Sequence, residues 1–222
     1  MNRFNLLACV SLAAITMTSQ LATAGDFQPY VSVFAGASFP NNLQLDYAGT
    51  GRNFDLGLNS GYLVGGAIGA HITDELRAEI ELSRAFFQSN GKGHNTSDGG
   101  RNFVAAGDVH ATYLMANAWY DIQTETAFTP YVGGGAGVGW VGGNVIFGPG
   151  PFGFGGSTSA GFAFQLGGGV KFDLSENVAL DLGYRFKDII GASANNTNAI
   201  IPGWDAVDLS SHTVQLGLTL KF

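Results

Sequence analysis

Seven charged side chains occupy alternate positions in otherwise apolar stretches, and they are the residues best placed to do chemistry. Neighbouring carboxylates such as Glu79 and Glu81 could form an acid/base pair, yet no residue near them in sequence is placed as a nucleophile. A lone charge in a confined site is costly, so charges on one face of a strand are expected to pair. The sequence therefore predicts a charge network, not a catalytic centre. Its members are Arg77, Glu79, Glu81, Lys171, Asp181, Arg185 and Lys187.

The histidines give little support for metal binding or catalysis. They lack the spacing of metal ligands, so neither a metal nor another cofactor is expected. The run Ser210-Ser211-His212 suggests a lipid hydrolase, but the third partner of a triad is missing. His212 also shares its face with apolar residues, which places it at the level of lipid headgroups. Hydrolysis is therefore the weakest alternative, and no catalytic residue is predicted. The four histidines are His71, His94, His110 and His212.

The stretches that carry these side chains have a period of two. Across residues 160–186, large apolar side chains alternate with glycines and charges, and residues 173–177 form a polar break. This alternation predicts two strands joined by a tight hairpin. In a soluble sandwich the apolar face would line a core. In a membrane barrel the same face would meet lipid, and the small and charged residues would face the lumen.

The rest of the chain favours the barrel. The connections between predicted strands run long, short, long, medium, long, short, long, as expected when short periplasmic turns alternate with longer extracellular loops. Each strand reaches about the 10 residues that cross a bilayer at a tilt. The predicted fold is all-β, an eight-stranded antiparallel up-and-down transmembrane barrel. The predicted strands are residues 27–39, 61–72, 76–87, 108–120, 130–141, 160–172, 178–186 and 211–222.

Three local features disturb the alternation. Arg84 interrupts the apolar face of the third strand near its end. The fifth strand has glycine at every second position of one face, which predicts a bulky neighbour in the lumen, and Arg77 is the expected one. The fourth strand does not alternate cleanly. Its outward residues are interpreted as Leu114, Ala116, Ala118 and Tyr120.

Composition and the N-terminus indicate an exported protein. Residues 1–24 combine Arg3, an apolar run too short to span a membrane, and the cleavage pattern Ala22-Thr23-Ala24, so they predict a cleaved signal peptide. Residues 25–222 then form one outer-membrane β-barrel domain. Cleavage removes Cys9, which excludes disulfides and thiolate chemistry. The mature chain keeps 17 acidic and nine of the 10 basic residues, and this acidic balance argues against nucleic-acid binding.

Six segments, in their order and spacing over the mature chain, carry a family resemblance. They are LRAEIE at 76–81, LMANAWYD at 114–121, TPYVG at 129–133, FQLGGGV at 164–170, LDLGYRF at 180–186 and VQLGLTLKF at 214–222. Together they resemble the bacterial outer-membrane β-barrel proteins of the OmpA-like, opacity-type porin family. Members of that family serve as surface antigens, adhesins, envelope-stabilising proteins or weak pores.

The resemblance implies a Gram-negative outer-membrane location, reached through the general secretory route, and contact with outer-membrane lipids. The last strand looks like the signal that the barrel-assembly machinery reads during insertion. A monomer is expected. A partner on a host or envelope surface is possible, and the sequence does not identify it. The residues of this assembly signal are Leu216, Leu218, Leu220 and Phe222.

The leading expectation is a non-enzymatic structural and surface-interaction protein, with envelope integrity, adhesion or antigenicity carried by the extracellular loops. An eight-stranded barrel is just wide enough to be filled by side chains, so the charge network is expected to plug the lumen. The alternative is a narrow porin that passes small ions or solutes. In the loop at 142–158, Phe147, Phe152 and Phe154 either contact a partner or fold back over the barrel mouth.

Overall fold

The computed structural model describes residues 27–47, 52–97, 100–148, 152–194 and 204–222, so the predicted signal peptide lies outside the described residues. Within these ranges no helix is long and apolar enough to cross a membrane. The described chain forms eleven strands. They are β1 Gln28–Pro40, β2 Leu43–Tyr47, β3 Arg52–Leu58, β4 Gly61–His71, β5 Leu76–Asn95, β6 Arg101–Asp121, β7 Phe128–Gly148, β8 Phe152–Ser157, β9 Gly161–Ser175, β10 Val178–Ala194 and β11 Trp204–Lys221.

Eight of these strands close into a barrel. Antiparallel pairing links β1, β4, β5, β6, β7, β9, β10 and β11 in that order. The ring closes where β11 pairs with β1, from Tyr30 opposite Lys221 to Pro40 opposite Ser211. Closure leaves no free sheet edge around the ring. The predicted eight-stranded up-and-down barrel is confirmed.

The two faces of the wall follow the predicted alternation. On the β9–β10 hairpin, Leu166 and Leu182 are exposed, whereas Gln165 and Lys187 on the opposite face are fully buried. The interpretation of β6 is also confirmed, because all four of its predicted outward residues are exposed and Trp119 is buried. The outside therefore has the apolar surface of a barrel surrounded by lipid. Its exposed apolar residues include Val33, Ile68, Leu82, Val132, Leu166, Leu182 and Leu216.

Aromatic pairs on the outside mark the two ends of the apolar band. Tyr62 stacks on Phe86, with ring centroids 4.9 Å apart, at the end of the barrel where the connections are long. Phe128 and Phe172, also 4.9 Å apart, lie at the end with the short turns. Such belts are typical of the two interfaces of a membrane barrel. We call the Tyr62–Phe86 level the outer belt.

The long connections are present as predicted, but they contain strands where loops were expected. Strands β5, β6, β7 and β10 continue past the outer belt, and β2 and β3 form a hairpin within residues 40–60. That hairpin is inserted into the wall between β11 and β5, with Leu45 opposite Val207 and Leu56 opposite Gly93. We call this part of the barrel the extension. It consists of β2, β3, β8 and the ends of β5, β6, β7, β10 and β11 beyond the outer belt.

The extension encloses an apolar core. Trp204 packs against the rings of Tyr47, Phe54 and Phe147, with centroid distances of 5.4, 5.6 and 5.9 Å. Aliphatic side chains from β2, β3, β6, β7 and β11 complete it, and they are fully or almost fully buried. They include Leu43, Leu45, Leu56, Ala105, Val145, Val207 and Leu209.

The polarity of the wall therefore reverses near the outer belt. Along β5, the buried face is polar up to Ser83 and becomes apolar from Ala85, while the outward face is apolar up to Leu82. Along β10, buried Lys187 is followed by buried Ile189. Below the reversal the outside is apolar, as lipid requires. Above it most apolar side chains are inside, as in a protein surrounded by water, and Val104 and Ile146 are exposed exceptions.

Candidate functional site

The seven predicted charges all project into the lumen below the outer belt. One cluster lies at the short-turn end around Asp121, the last residue of β6. Arg77 donates two hydrogen bonds to this carboxylate, at 2.8 Å from Nε to Oδ2 and 2.9 Å from Nη2 to Oδ1. Lys171 Nζ lies 2.6 Å from Oδ2. Asp121 thus forms ion pairs with two predicted cations, and sequence reasoning missed it because it was assigned to the polar connection after the strand.

A second cluster lies deeper in the lumen around Glu81 and Lys187. Lys187 Nζ is 2.6 Å from Glu81 Oε1, and the two side chains are 0% and 4% exposed. Gln165 connects the pair, since its amide nitrogen donates to Glu81 Oε2 at 2.7 Å and its amide oxygen accepts from Lys187 at 2.8 Å. Ser83 donates a further bond of 2.6 Å to Glu81. Both charges are therefore paired and hydrogen-bonded, as burial requires.

Aromatic side chains join the two clusters. The Arg185 guanidinium carbon lies 4.1 Å from the centre of the Trp119 ring, close enough for a cation–π contact. Arg185 also donates to the Tyr131 hydroxyl at 2.8 Å, and that hydroxyl donates to Asp181 at 2.9 Å. Glu79 accepts from Trp119 Nε1 at 2.8 Å, from the Tyr30 hydroxyl at 2.8 Å and from Asn117 at 3.0 Å. The seven charges thus belong to one polar filling.

Lumen glycines make space for this filling. Opposite Gly133 and Gly135 of β7 lie Trp119 and Asn117, which leave no room for a side chain. Both belong to β6, the strand paired with β7. The prediction that Arg77 is the bulky neighbour is therefore wrong, because Arg77 lies on β5, one strand further away.

Gly183 is the clearest case, because only side chains crowd it. A Cβ there would lie 2.8 Å from the Tyr131 hydroxyl and 2.9 Å from Arg185 Nη1. We expect Gly183→Ala to lower the free energy of unfolding by about 1–3 kcal/mol through overpacking. Urea unfolding of the protein refolded in detergent micelles measures this. Gly66→Ala, on the outward face, is the control, and an equal loss in both variants would contradict the argument.

The filled lumen leaves little free space. A cavity of about 30 Å³ remains among residues that include Glu79, Arg185 and Thr219, room for about two water molecules. A larger polar vestibule of about 310 Å³ opens at the short-turn end, where His71 and Lys221 are among its lining residues. Polar side chains thus fill the membrane-level lumen, and the apolar core fills the extension above it.

Ser211 and His212 do not form a catalytic pair. Ser211 is fully buried on the inner face of β11, whereas His212 lies on the outer face. Its Nδ1 is 2.6 Å from the Tyr184 hydroxyl, on the lipid side of the wall. Two residues on opposite faces of one sheet cannot share a proton. Among the described residues, no group of three or more potential metal ligands occurs.

The other predicted residues are placed as follows. Phe147 is 8% exposed and packs in the core of the extension. Of the two alternatives for this side chain, contact with a partner or folding back over the barrel mouth, the second therefore holds. The side chains of Phe152 and Phe154 lie outside the described residues. Three residues of the predicted assembly signal face outward on β11, and Phe222 is exposed just after that strand. The role of this signal stays a prediction.

Comparison with known proteins gives consistent matches. The family described as outer membrane protein beta-barrel domain matches residues 7–222. The outer membrane protein PagN of Salmonella typhimurium is 30% identical over 180 residues, which is 71% of this chain and 72% of PagN. The structure of Neisserial surface protein A has a TM-score of 0.50 at 18% identity and covers 87% of this chain and 97% of its own. For OprG of Pseudomonas aeruginosa the TM-score is 0.52 at 16% identity, with 89% and 97% covered. At these identities the two structures show the fold alone.

Proposed function

Because this chain belongs to the outer membrane β-barrel protein family and lies in the Gram-negative outer membrane, we propose that it acts there as a structural and surface-interaction protein without enzymatic activity. The observation that carries this proposal is the extension. In this type of barrel the long connections are extracellular. The extension therefore stands outside the cell, and its apolar core makes it a rigid platform.

The surface of the extension supports a binding role in water. Its outward side chains are polar and exposed on several strands, so the platform is solvated and offers hydrogen-bonding groups to a partner. A host or envelope surface is the proposed partner. The exposed polar residues include Gln44, Lys92, Asn102, Asp108 and Asn144.

The lumen supports a structural role over conduction. A pore would require displacement of the Glu81–Lys187 pair, which Gln165 bridges, and of the apolar core above it. Leaving either charge buried and unpaired is strongly destabilising. We therefore assign the lumen charges the role of a plug, and the narrow porin is the less favoured alternative.

Binding to surfaces tests the proposal. Cells that display the protein are expected to adhere to immobilised epithelial-cell membranes or envelope fractions more than cells without it. Changing Gln44, Lys92 and Asn144 together to alanine is expected to reduce this adhesion several-fold, because a few contacts dominate most interfaces. Adhesion counts and planar-bilayer conductance of the purified protein are the measurements.

The control variant changes Asp74, Glu125 and Glu176 to alanine. These residues are also exposed but lie in or beside the short turns, at the periplasmic end. Adhesion is expected to be unchanged. If both triple variants adhere like the wild type, the extension is not the binding surface. If the wild type opens discrete channels, the porin is the better assignment.

A further inference from the structure

We propose that Arg84 and His110 form a phosphate-binding site on the lipid-facing wall, and that its occupant is the phosphorylated glycolipid of the outer leaflet. This site is separate from the lumen network and from the extension. We call it the Arg84 patch. It consists of Tyr62, Arg84, Phe86, Thr112, His110 and Trp140.

Strand register places the patch at the outer edge of the apolar band. Arg84 pairs with Val64 on β4 and with Thr112 on β6, and Thr112 pairs with Trp140 on β7. The next outward row toward the extension holds Tyr62, Phe86 and His110. With a rise of about 3.3 Å per residue and a tilt of about 40°, Arg84 lies about 20 Å above Leu76, close to the top of a band about 25 Å tall.

The rows on either side confirm this level. One row below Arg84 the outward side chains are Leu82, Leu114 and Val138, all exposed and apolar. Two rows above Arg84 they are Gln88, Asp108 and Asn144, all exposed and polar. Acyl chains and headgroups meet between these rows, and the phosphates of a bilayer lie at that depth.

Arg84 differs from Arg77 because it faces outward and its charge has no carboxylate partner. Arg77 pairs with Asp121 in the lumen, whereas no acidic side chain of the described residues forms an ion pair with Arg84. Its guanidinium carbon lies 5.3 Å from the centre of the Phe86 ring, so the side chain extends toward the outer belt. An outward cation at this depth is complementary to an anion that comes from the lipid.

His110 supplies a second nitrogen-bearing group to the same patch. It lies beside Phe86 in the row above Arg84, on the neighbouring strand. Gly142 of β7 lies directly opposite, and a Cβ there would meet the imidazole ring, so the glycine lets this ring lie along the wall. Arg84 and His110 can thus approach one phosphate from two strands.

The occupant is identified by what surrounds Arg84 and His110. Tyr62, Phe86 and Trp140 flank them, and Leu82 and Leu114 continue the apolar wall below. A phosphate that carries acyl chains can bind Arg84 and His110 and also contact the apolar wall below them. A free phosphate gains nothing from that wall.

The test uses purified full-length protein in dodecylmaltoside micelles, with bisphosphorylated lipid A as the probe and native mass spectrometry as the readout. Arg84→Gln is expected to weaken lipid A binding about tenfold, because one charge-assisted contact is lost. His110→Ala is expected to weaken it less. Arg101→Gln, which removes an exposed arginine of the extension, is the matched control and is expected to bind like the wild type.

Further probes separate the sources of the phosphate. Lipid A with its phosphates removed is expected to bind the wild type as weakly as bisphosphorylated lipid A binds Arg84→Gln. Inorganic phosphate is expected not to compete. Equal binding by Arg84→Gln and Arg101→Gln, tight binding of the dephosphorylated lipid, or competition by inorganic phosphate would each overturn the proposal. Heat-modifiable gel mobility shows that each variant is folded.

Discussion

Replacing Lys187 with methionine is expected to lower the free energy of unfolding by about 3–5 kcal/mol. The change removes the cation 2.6 Å from Glu81 and leaves a carboxylate, 4% exposed, with only neutral donors around it. Gln165, Asn117 and Ser83 still donate to Glu81, but they cannot balance its charge. Urea unfolding of the refolded protein, followed by tryptophan fluorescence, measures the loss.

Two variants show that this loss comes from the buried charge. Adding Glu81→Gln to Lys187→Met removes the orphaned charge, so the double variant is expected to regain much of the stability. Lys221→Met is the second control. Its ion pair with Asp173 is also 2.6 Å long, but the Asp173 side chain is 43% exposed, so the expected loss is below about 1 kcal/mol. A loss at Lys221 as large as that at Lys187 would contradict the role of burial.

The barrel and its two faces could be predicted from the sequence because the signal is local. In β9 and β10, apolar and small or charged residues alternate without interruption, so one strand suffices to assign both faces. The charges had to be inside, since lipid excludes them. Their partners could not be predicted. Asp121 meets Arg77 and Lys171 from β6, and only the closed ring brings three separate strands together.

The extension was not predicted because its pattern is weak and its pairing is long-range. Its inward positions include small residues such as Gly93 and Ala105, so the contrast between faces is low. The hairpin β2–β3 gains its place by pairing with β11 and β5, which are distant in sequence. One local signal was available. At Arg84 the outward face stops being apolar, and the inward face becomes apolar at the next residue.

That reversal explains how one set of strands serves two solvents. Where lipid surrounds the wall, polar side chains are inside and stabilise the barrel through paired charges. Where water surrounds it, apolar side chains are inside and stabilise it through burial. The polar lumen at membrane level and the apolar core of the extension therefore depend on different interactions. Single substitutions are expected to destabilise one of them without unfolding the other.

Trp204→Ala is expected to destabilise the extension by about 3–5 kcal/mol, the usual cost of deleting a large buried aromatic side chain. Trp204 is 4% exposed and contacts three rings, and among the described residues its Nε1 has no hydrogen-bond partner. The loss is therefore one of packing. We expect the hairpin β2–β3 to become sensitive to protease, while heat-modifiable mobility, which reports the membrane-level barrel, is retained.

Trp140→Ala is the matched control for this prediction. Trp140 lies on the outer wall in the row of Arg84 and is only partly buried, so its removal leaves no cavity in the core of the extension. Protease sensitivity of β2–β3 is expected to stay at the wild-type level. If Trp204→Ala abolished heat-modifiable mobility, the two interiors would unfold as one unit. If it left β2–β3 resistant, the aromatic core would not hold the hairpin in the wall.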